Sequence, residues 1–278
     1  MDGRACHPLT ITDGFSRYLL RCQILERPRA VPSKTVFELA FREYGLPEAI
    51  RTDNGAPFAS QAVGGLSGLS VWWLKLGIVP ERIEAGHPEQ NGRHERMHRT
   101  LKQEVAMPPA QDRRAQQRAL EDFRQEYNEV RPHEALGMQT PASVYEPSER
   151  AYPAQVKEPE YPPTMLVRSV HSHGHFRWNQ RHDVFLSEVL WGERVGLLPI
   201  DERWYAVYFG ELPLARFDSW QRRVLPLPTA KNPKADKAVA QAGFDIAEAG
   251  EEEVSPSPAP HPLTGMQKEE KVSGMSPV

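Results

Sequence analysis

AIRTDNGAPF, residues 49–58, joins a short strand to a tight turn, and the first half of the sequence is interpreted outward from it. Ala49 to Thr52 reads as a strand, and Asp53-Asn54-Gly55 reads as the turn that ends it. A carboxylate at the C-terminal end of a strand lies where α/β folds usually have their functional sites. Because Asp-Asn-Gly is also a common turn, this stretch alone leaves open whether Asp53 serves structure or chemistry.

Predicted strands and helices alternate on both sides of this stretch. Before it, the apolar runs Leu9–Asp13 and Tyr18–Leu25 predict a β-hairpin, and Ser33 is the expected N-cap of a helix over Thr35–Tyr44. After it, the pattern predicts three helices and a short edge strand: Leu66–Leu76, Pro88–Val105 and Asp112–Val130 for the helices, and Ile78–Ile83 for the strand. This alternation is typical of an α/β fold.

The second half of the sequence changes in character. Pro147 to Pro163 is rich in Pro and Glu and reads as a linker, and short β-rich runs between Met165 and Leu227 predict a small β-barrel or sandwich. From Thr229 the chain has almost no aromatic residues, which predicts disorder. We therefore expect four parts: an α/β domain over residues 1–146, a linker over 147–163, a small all-β, SH3-like domain over 164–228 and a disordered tail over 229–278.

Composition favours a soluble cytoplasmic protein. No run of the sequence approaches the roughly 18 apolar residues that a membrane span needs, and residues 1–10 lack the apolar region of a secretory signal. Two cysteines cannot build a disulfide framework, so a reducing compartment is expected. The net charge is −3, and the tail from Thr229, with five Lys and eight acidic residues, holds all of that excess. Bulk charge therefore gives no support for nucleic-acid binding, which would depend on local patterning.

The helix predicted from Pro88 carries such a local pattern. At 3.6 residues per turn, Asn91, Glu95, Arg99 and Lys102 fall on one face, with His98 near its edge. The face is either a solvated surface with i, i+4 pairs or a site where Glu95 holds a divalent metal and the other three residues meet phosphates. Carboxylates that converge on a pair of Mg²⁺ or Mn²⁺ ions catalyse phosphoryl transfer. The helix alone leaves both interpretations open.

Three motifs in the first half, taken together, resemble a known family. Residues 52–58, TDNGAPF, match T-D-N-G-x-x-F, and residues 88–95, PEQNGRHE, match P-x-x-x-G-x-x-E. Residues 127–136, YNEVRPHEAL, followed by Pro141 and Tyr145, match Y-N-x-x-R-P-H-x-A-L with its later Pro and Tyr. In this order and spacing they resemble the retroviral-type integrase core and the bacterial insertion-sequence transposases related to it, over roughly residues 7–145.

The resemblance implies an RNase H-like fold and a triad of two Asp and one Glu. Asp53 and Glu95 would be the second and third members and would hold two Mg²⁺ or Mn²⁺ ions, while Arg99 and Lys102, beside Asn91, would contact DNA. The complete family cuts a phosphodiester, and the freed 3′-hydroxyl then attacks target DNA. Transposon ends and target DNA are therefore the implied partners, with a homo-oligomer as the working form and the nucleoid as its location in the cytoplasm.

The resemblance also implies that part of this site is missing. The first Asp of the family lies on a strand before the segment that begins here at Met1, because Leu9–Leu25 matches the second and third strands. Asp2 and Asp13 are the only acids before the hairpin ends, and we assign neither to catalysis. We expect an N-terminally truncated core with weakened or lost metal binding and no strand transfer. Two alternatives stay open: a non-catalytic DNA-binding or oligomerising remnant, and an RNase H-like nuclease that cuts without joining.

Overall fold

Two pairs of strands and four longer helices form the first half of the molecule. The structure is a computed structural model that describes residues 7–227 except 54, 56, 59, 61, 83–91 and 106. Strands β1 (His7–Thr12) and β2 (Leu19–Leu25) form the predicted antiparallel hairpin. Strand β3 (Ala49–Thr52) has the predicted bounds and pairs parallel with β4 (Val79–Arg82).

The four predicted helices of this half are present, together with one further helical turn that was not predicted. They are α1 (Ala30–Tyr44), α2 (Gly68–Lys75), α3 (Gly92–Val105), α4 (Arg113–Glu129) and a single turn, α5 (Pro141–Val144). The carboxylate of Asp112 caps α4 by accepting from the backbone N–H of Ala115 at 2.8 Å. Ser67 caps α2, where it forms a capping box with Ser70.

The predicted start of α1 was wrong. The helix begins at Ala30, and Ser33 is buried inside its first turn, where its hydroxyl donates to the carbonyl oxygen of Arg29 at 2.8 Å. Pro32 fits into this first turn because its missing N–H has no partner to lose there. The predicted stop at Gly45 is confirmed, with a φ of 81° and a backbone so close to Ser148 that a Cβ would lie 2.3 Å from its carbonyl oxygen.

Two hydrophobic clusters hold this half together. One joins β2, α3 and α4, and the other joins α1 and α2 through aromatic rings such as Phe37, Phe41, Trp72 and Trp73. Within the described ranges, β1–β2 and β3–β4 are separate two-stranded sheets rather than parts of one larger sheet. Side chains from both pairs nevertheless pack against the second cluster, because β1 and β3 carry apolar residues on the face towards α1 and α2.

An antiparallel β-sheet forms the second half. Its strands are ordered β11 (Arg223–Pro226), β10 (Leu212–Asp218), β9 (Trp204–Phe209), β8 (Arg194–Pro199) and β5 (Leu166–Ser169), and β6 (His175–Asn179) forms a separate hairpin with β7 (His182–Phe185). Strands β6 and β11 were not predicted from the sequence. The tail expected over residues 229–278 lies outside the described residues.

The segment predicted as a linker lies extended against the rest of the chain. Arg150 donates to the carbonyl oxygens of Pro47, Leu76 and Gly77 at 2.8–3.0 Å, and the hydroxyl of Tyr161 donates to that of Arg194 at 2.7 Å. All the described residues belong to one compact unit. None of the helices in the described part of the chain is both long and apolar enough to cross a membrane.

Candidate functional site

Helix α3 is fixed in register by a narrow apolar stripe. Met97, Leu101 and Val105 recur every four residues and are all buried. They pack against buried side chains of β2 and α4, which are Leu19, Cys22, Ile24, Leu120, Phe123 and Tyr127. Because these three contacts hold one face of the helix, the orientation of every other side chain on α3 follows from them.

The face away from this stripe is polar and exposed. Glu95 lies in the first turn of α3, and Arg99 and Lys102 follow it on the same side of the helix. All three side chains are exposed. Asn91, the fourth predicted member of this face, lies outside the described residues. The structure thus brings one acid and two bases together along a solvent-facing helix.

Asp53 follows directly on strand β3, as the sequence predicted. Asp53 is exposed, and its Oδ1 accepts a hydrogen bond from the backbone N–H of Gly55 at 3.1 Å. Its negative charge acts on the imidazoles of His94 and His98 in α3. Asp53 therefore lies near the helical turn that contains Glu95, although the two carboxylates are 42 positions apart in the sequence.

A pair of histidines lies on a third side of α3, against β1. The Nε2 atoms of His94 and His98 are 3.1 Å and 2.6 Å from the hydroxyl oxygen of Thr10, and the Nδ1 of His94 is 3.4 Å from that of Thr12. The ring centroids are 4.4 Å apart. His98 therefore turns towards the hairpin, whereas the sequence had only indicated that it lies near the edge of the polar face.

Burial controls the protonation of these two histidines. It lowers the pKa of His94 to about 4, the charge of His98 lowers it further, and the Asp53 carboxylate opposes both effects. Burial also lowers the pKa of His98, again against the opposing charge of Asp53. Both imidazoles are therefore neutral at pH 7.

The third sequence motif has a structural role. The side-chain amide of Asn128 accepts from the backbone N–H of Leu19 at 2.8 Å and donates to the carbonyl of Leu19 at 3.1 Å, which joins α4 to β2. The ring of Tyr145 stacks on Tyr18 with the centroids 4.3 Å apart.

Asp13 completes the hairpin turn, since its Oδ2 accepts from both the N–H and the hydroxyl of Ser16 at 2.7 Å.

The donor set fits a hard divalent cation in type and falls short in number. Asp53 and Glu95 offer the carboxylate oxygens that Mg²⁺ and Mn²⁺ prefer. Across the described ranges, however, no group of three or more His, Cys, Asp or Glu side chains is arranged to hold a metal ion. Of the predicted site residues, the described part of the chain therefore contains the carboxylates of Asp53 and Glu95 and the two bases beside Glu95, Arg99 and Lys102.

Residues 76–141, which include all of α3 and α4, match the family model described as "Integrase core domain". This stretch is therefore similar to an integrase core. Over 142 residues it is 30% identical to the "Insertion element IS407 uncharacterized 31.7 kDa protein" of Burkholderia multivorans, covering 51% of this chain and 49% of that protein. It is also 30% identical over 142 residues to the "Insertion element IS476 uncharacterized 39.2 kDa protein" of Xanthomonas euvesicatoria, with 51% and 39% covered.

The chain is also similar to viral polyproteins. Over 95 residues, 34% of this chain and 5% of that protein, it is 33% identical to the "Gag-Pol polyprotein" of Baboon endogenous virus. Among solved structures, a simian T-cell lymphotropic virus intasome in complex with PP2A regulatory subunit B56 gamma matches with a TM-score of 0.41 and 17% identity, covering 75% of this chain and 76% of that one. The chain spans about half the length of the first insertion-element protein and less of the second.

Two residues of this region were not predicted from the sequence as part of the site. The sequence predicted Thr10 only as part of a strand, and it gave no role to His94. A signal for both was present, since His94 and His98 stand four residues apart on a helix and so share one side of it. The sequence could not show that this side faces the hydroxyls of β1.

Proposed function

We propose that this chain acts in DNA transposition through metal-dependent phosphoryl transfer, with an RNase H-like integrase core as its catalytic part. The observation that carries the proposal is the exposed row of Glu95, Arg99 and Lys102 on α3, a helix inside the matched integrase core. If this face were only a solvated surface, Glu95 would have no reason to lie in the helical turn that is near a second carboxylate, that of Asp53.

Each side chain of this face has a distinct role in the proposal. Asp53 and Glu95 would hold the divalent ions, Mg²⁺ or Mn²⁺, and when bound these ions neutralise charge on the scissile phosphate. The planar guanidinium of Arg99 suits bidentate contact with a phosphate, and the Lys102 ammonium acts as a point charge. Asn91, four positions before Glu95 in the sequence, would add a neutral donor. Together they would orient a DNA backbone along α3.

The proposed domain organisation is the one that the sequence predicted. Residues 1–146 are the integrase core, 147–163 the connecting segment, 164–228 the small SH3-like domain and 229–278 the tail. Transposon-end and target DNA are the proposed partners, bound by a homo-oligomer at the nucleoid. Support comes from the insertion elements in which the two bacterial relatives occur and from the viral polyproteins that share this core.

We further propose that the 278-residue polypeptide by itself binds DNA without joining it. Strands β1, β2 and β3 contain no Asp or Glu, and the nearby Asp13 is committed to the hairpin turn. Among the residues that the structure describes, the proposed site has the carboxylates of Asp53 and Glu95, and two carboxylates give a pair of metal ions too little charge and too few ligands for strand transfer.

A joining assay tests this part of the proposal. Purified protein is incubated with labelled donor ends, target DNA and Mg²⁺ or Mn²⁺, beside the Glu95→Gln variant. We expect no joined product from either protein. Joining by the wild-type chain that Glu95→Gln abolishes would contradict the proposal, and cutting without joining would favour the nuclease alternative.

DNA binding by the basic face is tested separately. Each Lys or Arg that meets a phosphate releases counterions, so the slope of log affinity against log salt falls by close to one unit per contact. Arg99→Ala with Lys102→Ala should lower affinity for duplex DNA and flatten this slope by up to about two units. Fluorescence anisotropy over a salt series measures both quantities.

The matched control for this pair lies on another helix. Arg113→Ala with Arg114→Ala removes the same charge from exposed positions at the start of α4. We expect the control to keep the wild-type slope more closely than the α3 pair does. Equal slopes for the two double variants, with circular dichroism unchanged, would mean that the α3 face is only a solvated surface.

The shared site also makes a geometric prediction. Two metal ions bridged by a site lie about 3.5–4 Å apart, so the carboxylates of Asp53 and Glu95 should lie within about 10 Å of each other. An experimental structure with Mn²⁺ would measure this distance. A larger separation would exclude a common metal pair.

A further inference from the structure

The side of α3 that faces β1 contains two imidazoles that converge on one point. His94 and His98 are one helical turn apart, and the Nε2 atom of each lies within hydrogen-bond distance of the same Thr10 hydroxyl, at 3.1 Å and 2.6 Å. The two nitrogens are therefore no farther apart than these distances combined. Both nitrogens point at one atom, and a metal ion about 2.0–2.1 Å from each would need the two imidazoles to move closer to a common point than they now lie.

The remaining contacts of His94 match those of a metal-binding histidine. Metal-bound imidazoles usually use their second ring nitrogen in a hydrogen bond that fixes the orientation of the ring. In His94 that nitrogen, Nδ1, lies 3.4 Å from the hydroxyl of Thr12, which leaves Nε2 directed at Thr10. Both rings are partly buried, and Met97 between them on the helix anchors this turn in the core.

Charge around the pair also favours a cation. The carboxylate of Asp53 acts electrostatically on both His94 and His98. The spacing, His94-Glu95-Arg96-Met97-His98, is the H-E-x-x-H arrangement that puts two imidazoles on one helix face for zinc. In the metalloproteases with this motif the Glu is the general base, whereas Glu95 here is exposed on the polar face with Arg99 and Lys102. The arrangement therefore points to binding rather than to peptide hydrolysis.

We propose that His94 and His98 bind one transition-metal ion, of the Zn²⁺, Co²⁺ or Ni²⁺ class, between their Nε2 atoms, where it replaces the hydrogen bonds of both rings to the Thr10 hydroxyl. Imidazole nitrogens select these ions over Mg²⁺, which prefers oxygen ligands. Water completes the coordination, because the two histidines supply only two protein ligands. This site lies on a different side of α3 from Glu95 and does not depend on the proposed function.

Cobalt spectroscopy on the full chain, purified without a histidine tag, tests this site. Co²⁺ bound by imidazoles gives visible d–d absorption, so titration measures affinity directly. We expect one tightly bound Co²⁺ per chain that Zn²⁺ displaces and Mg²⁺ at the same concentration does not. His94→Gln and His98→Gln should each lower Co²⁺ affinity by at least about tenfold, since loss of a ligand costs more than loss of an outer hydrogen bond.

Two controls separate this site from other histidines and from a structural role. His171→Gln with His173→Gln removes two exposed imidazoles elsewhere and should leave the Co²⁺ spectrum unchanged. Thr10→Ala removes the hydroxyl that both rings contact and leaves space at that point, so it should keep or raise Co²⁺ affinity because a competing hydrogen bond is gone. Circular dichroism confirms the fold of each variant. The proposal is overturned if binding survives both α3 variants, disappears in the His171 and His173 control, or is lost in Thr10→Ala.

Discussion

At the scale of single residues, the register of α3 decides what each side chain can do. Burial of Met97 and Leu101 turns His94 and His98 towards β1 and leaves Glu95 in solvent. A shift of one residue would rotate the helix by about 100° and exchange these environments. Packing of the core and presentation of the candidate site therefore depend on the same few contacts.

The buried histidine pair gives the protein a predictable pH dependence. The folded-state pKa of His94 is about 4, below its ordinary value of 6.5, so between these values the unfolded chain binds a proton that the folded chain does not. The free energy of unfolding should therefore fall as the pH drops from 6.5 to about 4, by up to about 3 kcal/mol from this residue. Urea unfolding at a series of pH values, with a chelator present, measures the change.

Two variants isolate the contribution of His94. His94→Gln should unfold with a shallower dependence on pH over this window, because its side chain does not titrate. His171→Gln, at an exposed position, should keep the wild-type dependence. If His94→Gln and the wild type share one slope, His94 does not carry the effect.

At the scale of elements, one amide holds a helix to a strand. Asn128 is buried in α4 and pairs with both the N–H and the carbonyl of Leu19 in β2. Asn128→Leu leaves these two backbone groups without their partner, which should lower the free energy of unfolding by about 2–4 kcal/mol. Gln125→Leu, at an exposed position of the same helix, should change it by less than about 0.5 kcal/mol. Similar losses in the two variants would show that the amide contacts are unimportant.

Elements with a strong local signal could be predicted from the sequence. Helix α4 was bounded to within one residue because Asp112 is a strong N-cap and Leu120, Phe123 and Tyr127 recur at helical spacing. Strand β3 was bounded without error, since a turn follows it directly. These signals lie within a few residues of the element that they define.

Elements that depend on distant partners could not be predicted in this way. Strand β6, His-Phe-Arg-Trp-Asn, has no clean alternation of apolar residues, and its hairpin with β7 is stabilised by packing of Phe176 against Phe217. Ser33 was taken for a cap because nothing nearby shows that the helix already begins at Ala30. For the candidate site, the sequence predicted which residues share the exposed face of α3 and missed the contact of His94 with Thr10, which spans 84 positions.

At the scale of the whole molecule, α2 belongs to two hydrophobic cores. Trp72 and Trp73 pack in the cluster around α1, whereas Val71 packs with the buried face of the second-half β-sheet. The Nζ atom of Lys75, at the end of the same helix, donates to Glu158 at 2.7 Å and to Glu193 at 3.0 Å. The first half of the chain, the segment that contains Glu158 and the second-half β-sheet therefore meet at one helix.

This junction makes unfolding of the two halves interdependent, and Lys75 provides the test. The side chains of Lys75 and Glu193 are only 14% and 17% exposed, so Lys75→Met leaves a poorly solvated carboxylate without its cation. We expect a loss of about 1–3 kcal/mol in the free energy of unfolding, discounted for the remaining solvent. Lys75→Met with Glu193→Gln removes both charges and should recover much of that loss, as urea unfolding of both single variants and the double variant would show. If the double variant is no more stable than Lys75→Met, the ion pair does not couple the halves, and the shared apolar packing of α2 must do so alone.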